Sequence, residues 1–229
     1  MKKYLLLSLL PLACSTALAA KTASTDVNFS GEIYNNTSCS ITTTANSVEL
    51  GRHSSEIFQK EMPTELEGGG AGSIPFAVNC SAPTNMGIEV VSASGDSDFQ
   101  MMDGNFTASL AKSAEGKDIA VLGLVLNDVA MDGEAVSAVM IPEGNDIHDL
   151  NNATQGADKG QAIFTQAAGN RFAVTTDAKY DQLAVGQNLN GTFNYRSFLT
   201  PLSYIGDKSI QMQDNIPLQA SVNFSVHYL

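Results

Sequence analysis

The clearest pattern in the chain is at its end. From Gln219 to Leu229 the sequence QASVNFSVHYL puts Val222, Phe224, Val226 and Tyr228 on one side of an extended chain and Ser221, Asn223, Ser225 and His227 on the other, because strand side chains repeat every two residues. This predicts a strand with one wet and one apolar face, and the apolar face needs a cover. Upstream, Val27, Phe29, Gly31 and Ile33 share one face before an Asn35-Asn36 turn, and a β-prone run continues through Cys39. SVELG (Ser47–Gly51) reads as a short strand, followed by a long loop from Arg52 to Gly72 that ends in a flexible linker, Gly68-Gly69-Gly70. SIPFAVNC (Ser73–Cys80), GIEVVSAS (Gly87–Ser94), FQMM (Phe99–Met102) and NFTASL (Asn105–Leu110) follow as separate strands, the last two joined by a tight turn at Asp103-Gly104. DIAVLGLVLNDVA (Asp118–Ala130) is apolar enough to be the buried centre of a sheet, and it meets EAVSAVMI (Glu134–Ile141) across Asp132-Gly133. Pro142–Gly160 is polar and reads as a surface excursion; RFAVTTDAKY (Arg171–Tyr180) and GTFNYRSFL (Gly191–Leu199) complete the strands.

Many short strands with turn signals, and no helical stripe longer than a couple of turns, predict an all-β sandwich. At 229 residues and 43% hydrophobic content the chain can bury one substantial core but hardly two. The N-terminus sets the compartment. Met1-Lys2-Lys3, the apolar run Tyr4–Leu12 and the small residues Ala17-Leu18-Ala19 form a secretory signal, removed after Ala19 or, alternatively, after Ala20. Cys14 offers a lipidation alternative, weakened by the preceding Pro11-Leu12-Ala13. With Cys14 gone, two cysteines remain, Cys39 and Cys80, and an exported chain with an even count is expected to pair them.

Without Lys2 and Lys3, ten basic residues face 24 acidic ones, a formal charge of −14. Such a surface excludes nucleic acid and anionic bilayers as partners, since both need clustered Lys and Arg. Candidate chemistry is thin. His53, His148 and His227 lie far apart in sequence and outside any zinc spacing, which predicts a surface or edge-strand place for each. Asp146-Ile147-His148-Asp149 could be drawn as a metal site but sits in a polar loop; Asp96, Asp98 and Asp103 fail the calcium-loop spacing. No Gly-x-Ser-x-Gly elbow occurs, so the reading is of a non-enzyme without cofactor or metal.

VNFSGEI (Val27–Ile33) leading into Cys39, VELG (Val48–Gly51), PFAVNC ending at Cys80 and a C-terminal strand with penultimate Tyr228 together resemble the subunits of chaperone–usher pili, the type 1 pilin-like family. The resemblance spans almost the whole mature chain. It implies an incomplete immunoglobulin-like β-sandwich at 31–229, missing its seventh strand and bridged by Cys39 and Cys80. A donor segment at 20–30 carrying Val27 and Phe29 would complete a neighbour by donor-strand exchange. The acceptor groove and chaperone contact would lie along Val222, Phe224, Val226 and Tyr228, so a trough is expected beside Ser221–Leu229. The implied partners are neighbouring pilin subunits, a periplasmic chaperone and an outer-membrane usher. The implied place is a fimbria on the cell surface, reached through the periplasm, where the chain supports cell adhesion. As the alternative, an adhesive subunit would use its long loops, 52–72 and 142–160, on a host receptor. The chain departs from the family in being longer, in having Thr22 and Thr25 where the donor would carry an apolar residue and a glycine, and in having Ile216 where many members have glycine.

Overall fold

A single long strand ties the molecule together. The computed structural model describes residues 37–45, 47–94, 97–101, 104–105, 108–142, 144–157, 159, 163–164, 171–177, 179–206 and 215–229, within the compact unit Asn35–Leu229. The signal sequence at 1–19 and the segment at 20–30 with Val27 and Phe29 lie outside the described residues. In chain order the strands are β1 (Cys39–Thr43), β2 (Thr64–Glu65), β3 (Ala71–Ser92), β4 (Gln100–Met101), β5 (Gly104–Asn105), β6 (Ala108–Lys112) and β7 (Asp118–Met131). They continue with β8 (Glu134–Ala135), β9 (Ser137–Ile141), β10 (Gln155–Ala157), β11 (Ile163–Phe164), β12 (Arg171–Thr175), β13 (Val185–Leu199) and β14 (Val222–Tyr228). The described α-helix is one turn, α1 (Leu202–Ile205), so the chain is all-β, and all its described strand pairs are antiparallel.

β3 belongs to both halves of this sheet system. Its first part runs between β1 and β13, with Val78 opposite Ile41 on one side and Leu189 on the other. Its second part runs between β12 and β14, with Ile88 opposite Phe172 and Val226. Beyond β13 lie β7 and then β6, β8 and β11; beyond β12 lie β9 and β10. The two halves enclose one apolar core, in which Phe76, Val78, Leu126, Leu189 and Phe193 from the first half meet Ile88, Val90, Met140, Phe172 and Val174 from the second. This arrangement is consistent with a β-sandwich.

Two strands expected at Ser73–Cys80 and Gly87–Ser94 are therefore one. The chain stays extended through Ser81-Ala82-Pro83 while its partners change, and the register against β13 skips from Asn79 to Thr84. Pro83, which has no N–H to give a ladder, stands in that gap. The glycine run is a second correction. Leu66 N–H donates to Ser197 O (2.9 Å) and Ser197 N–H donates to Gly70 O (2.7 Å), so Glu67–Gly69 loop out of an edge that runs along β13 from β2 into β3. Here glycine is required: Gly69 has φ +133, and a Cβ at Gly70 would stand 2.2 Å from Leu66 O. The 52–72 region is docked where Leu66 is buried and Glu65 pairs through both carboxylate oxygens with Arg196, while Gln59–Met62 is exposed.

Pro142–Gly160 is likewise more than a surface excursion. It supplies β10, and its Ile147 is 2% exposed because its side chain covers Gly87, where an added Cβ would come within 2.6 Å of Ile147 Cδ1. The 118–131 run is the expected long, mostly buried strand, and Asp132-Gly133 turns with both residues at positive φ. The run expected at Glu134–Ile141 divides, however: β8 pairs with β7 while β9 pairs with β12 and β10. β4 and β5 pair as expected, but Gly104 stands in the ladder opposite Met101 and not in the turn.

Asp118, fully buried, anchors the turn before β4. Its Oδ2 accepts from Ser97 Oγ (2.8 Å), Asp98 N–H (2.9 Å) and Phe99 N–H (3.2 Å), with Lys112 Nζ 3.7 Å from Oδ1. A buried carboxylate persists when its charge is met by donors in this way.

Cys39 and Cys80 stand opposite each other in the β1–β3 register and are bonded, Cα to Cα 4.1 Å, as expected. The bridge spans 41 residues, so the Cys39→Ala/Cys80→Ala chain should unfold with about 4 kcal/mol less stability. Urea denaturation of the oxidised protein and the double variant measures the difference.

Candidate functional site

The inner face of β3, β13 and β7 is only half covered. At one end the second half of the sheet system lies over it, with Phe224 of β14 against Phe193 (ring centroids 4.7 Å) and Phe193 against Phe76 (5.1 Å). Towards the other end the cover stops and leaves an open groove of about 1470 Å³. Its floor is apolar: Ile74 of β3, Leu122 and Leu124 of β7, Tyr195 and Leu199 of β13, and Leu110 of β6. Ladder register explains the floor, since Tyr195 stands opposite both Gly72 and Leu124, and the neighbouring inward positions follow at steps of two.

Two stretches form the lips. One runs from Ser47 to Phe58, with Gly51 at positive φ and a single 3-10 turn at Ser55–Ile57; the other is Asn215–Ser221, running into β14. Ser47–Gly51, read from its pattern as a strand, belongs to none, and neither does Asn215–Ser221. Yet the second lip is built like one. Ile216, Leu218 and Ala220 are half-buried while Asn215, Pro217 and Gln219 are exposed, continuing the alternation of β14 upstream of its first ladder pair. The lip is held by Gln219 N–H to Leu110 O (2.9 Å) of β6, by Ala93 N–H to Ser221 O (2.8 Å) and by Ser221 N–H to Ser94 Oγ (2.7 Å).

The groove lies beside Asn215–Phe224, upstream of the stretch where a trough was expected. Val222 and Phe224 line it; Val226 packs into the core, and Tyr228 is exposed at the strand end. The missed lining residues are Ile74, Leu122, Tyr195, Ile216 and Leu218. The last two were findable, because Ile216-Pro217-Leu218 extends the period-two pattern, but proline broke the reading. The floor residues were not, because nothing in a strand's own pattern says which part of its apolar face stays uncovered.

A groove of this size exceeds the 300–1,000 Å³ usual for small-molecule sites. Its apolar floor and its lips without ladder partners fit an inserted polypeptide strand, which brings both main-chain hydrogen bonds and alternate side chains. Among the described residues no three His, Cys, Asp or Glu side chains converge as metal ligands. The loop acids serve as turn acceptors: Asp146 Oδ1 takes His148 N–H (2.9 Å) and Asp149 takes Asn151 N–H (3.1 Å). Asp98 is exposed, while Asp96 and Asp103 lie outside the described residues.

The histidines divide. His53 bonds Leu50 O through Nε2 (2.7 Å) on the first lip. His227, on edge strand β14, pairs with Glu89 (2.8 Å), which also meets Arg171 Nε at 3.4 Å. His148 contradicts the surface expectation. Its side chain is 8% exposed, Nδ1 faces Asp146 at 3.3 Å, and Nε2 is buried without a partner. Burial holds its pKa below the ordinary 6.5 despite Asp146, with His227 and Arg171 adding to the depression.

A comparison of the chain with models of known protein families gives no match, and a comparison with curated proteins gives none either.

The docked 142–153 loop favours a neutral His148, so its stability is full above pH 6.5 and declines as pH falls from there towards the lowered value. Asp146, held below its usual 3.8 chiefly by the His148 N–H, acts only in a separate, more acidic window. Amide exchange of residues 144–153, corrected for intrinsic rates, should therefore rise by up to about tenfold per pH unit below that point. In His148→Phe this dependence should vanish.

Proposed function

We propose that this chain is a structural subunit of a bacterial surface fimbria, an incomplete immunoglobulin-like sandwich whose groove receives an extended strand from a neighbouring subunit. The observation that carries this reading is the groove itself: an apolar sheet face left open between two lips that have strand-like patterning and no ladder. An inserted strand would pair with the lips and bury Ile74, Leu122 and Tyr195, removing an apolar trough that otherwise favours aggregation. The donor on this reading is the 20–30 segment of another copy or a related subunit, with Val27 and Phe29 facing the floor. Head-to-tail donation is a heterologous contact that does not close, and it builds a fibre.

The disulfide supports export, since such bridges persist in oxidising compartments. An open groove in the periplasm needs a temporary cover, hence a chaperone, and an usher to the surface. Support of adhesion follows from membership of such a fibre. Direct receptor binding by the loops at 52–72 and 142–160 is the alternative reading.

A synthetic peptide of Ala20–Gly31, added to the purified chain at about a hundred times its dissociation constant, should raise the thermal midpoint by roughly 5–10 °C. Val27→Ser/Phe29→Ser peptide should not, and a chain lacking Val222–Leu229 should neither assemble nor respond. An unchanged midpoint at saturating peptide would overturn the proposal.

A further inference from the structure

The groove floor contains one contact whose geometry reaches beyond packing. Tyr195 of β13 faces inward, half-buried, and lines the groove; its ladder partner on β3 is Gly72. Paired residues on antiparallel strands project to the same side of a sheet. The Tyr195 ring uses the room that glycine leaves: a Cβ at Gly72 would stand 2.6 Å from Tyr195 Oη, 2.8 Å from Cζ and 2.9 Å from Cε1. The far end of the ring therefore lies over the β3 backbone. On its other side Tyr195 is paired with Leu124, which is 3% exposed and leaves no space for the ring to turn into. The open direction for the ring is the groove.

We infer that the Gly72–Tyr195 pair sets the depth of the groove at this point and so selects the size of the side chain an inserted strand can seat there. The inference rests on the strand-acceptor reading above and deepens it, assigning specificity to two residues of the floor. With glycine at 72 the ring lies flat and the groove is deep enough for the strand to pass. The three atoms nearest a methyl at 72 all belong to the far end of the Tyr195 side chain, so the ring lifts while the strands keep their register. The lifted ring then occupies the volume the inserted strand needs. Removal of the ring has the opposite effect: it opens a recess above β3 that a larger donor residue can fill. Tyr195 is thus a steric gauge, and Gly72 is the positioning residue that holds it down.

The test uses the full exported chain in four forms: the natural one, Gly72→Ala, Tyr195→Ala and the double variant. The probe is the Ala20–Gly31 peptide and a set of versions with tryptophan in turn at Thr22, Thr25, Val27 and Phe29. Disulfide content and far-ultraviolet circular dichroism report that each form folds. The natural chain should bind the parent peptide, Gly72→Ala should bind it at least tenfold more weakly, and the double variant should recover most of the loss. Tyr195→Ala should accept tryptophan at one peptide position that the natural chain rejects by tenfold or more, and that position identifies the residue lying over the gauge. Equal binding by folded Gly72→Ala and the natural chain, or an unchanged tryptophan profile in Tyr195→Ala, overturns this inference while leaving the acceptor reading intact. Absence of binding of the parent peptide to every form defeats the acceptor reading itself.

Discussion

A β-sheet with an apolar face must bury that face against a second layer, and in this chain the second layer stops short. The inner side of β3, β13 and β7 is covered at the Phe76–Phe193–Phe224 end, and Leu199 is buried under side chains of the two lips, while Ile74, Leu122 and Tyr195 between them are only half-buried. The lips of the groove carry β-patterned residues at Ser47–Gly51 and Ile216–Ala220, yet neither stretch belongs to a strand. The incompleteness is a local one: the same sheet is well packed where the second layer reaches it, with Phe193, Leu189 and Val78 fully buried.

The rest of the architecture keeps the gap from collapsing. β3 is shared by both halves, so neither can slide over the opening without breaking a 22-residue strand. The Cys39–Cys80 bridge fixes the β1 edge to that strand at the point where its partners change. The 52–72 segment, which includes part of the first lip, is tied to β13 through buried Leu66 and the Arg196–Glu65 pair, whose hydrogen bonding holds the Glu65 carboxyl below and the Arg196 guanidinium above their ordinary pKa values. A groove with an apolar floor has to be held open by covalent and ladder constraints of this kind, because hydrophobic attraction alone would draw its walls together. At its floor the Gly72–Tyr195 contact applies the same logic to a single side chain.

The outer face of the second half has a different character. There the 142–153 loop seats Ile147 over Gly87 and buries His148 close to Arg171, His227 and Glu89, linking the edge strand β14 to β3 and β12 through ionisable groups. The opposite face of the same strands is the core.

Much of the all-β character was legible in the chain because period-two alternation is a local property: β1, β7, β12 and β14 fall where the pattern puts them, and Cys39 and Cys80 pair as expected. Other features depended on which strands become neighbours, and only the tertiary structure decided them. Ser73–Ser94 reads as two strands around a proline, yet it is one, because its partners change where Pro83 would have failed to pair. Gly68–Gly70 reads as a linker, yet it is a bulge, because Leu66 and Gly70 both bond Ser197 of a strand 120 and more residues away. Ser47–Gly51 carries a strand's alternation without becoming one. A strand needs a partner for its backbone groups as well as a pattern in its side chains; the pattern is written locally, and the partner is supplied, or withheld, by the fold.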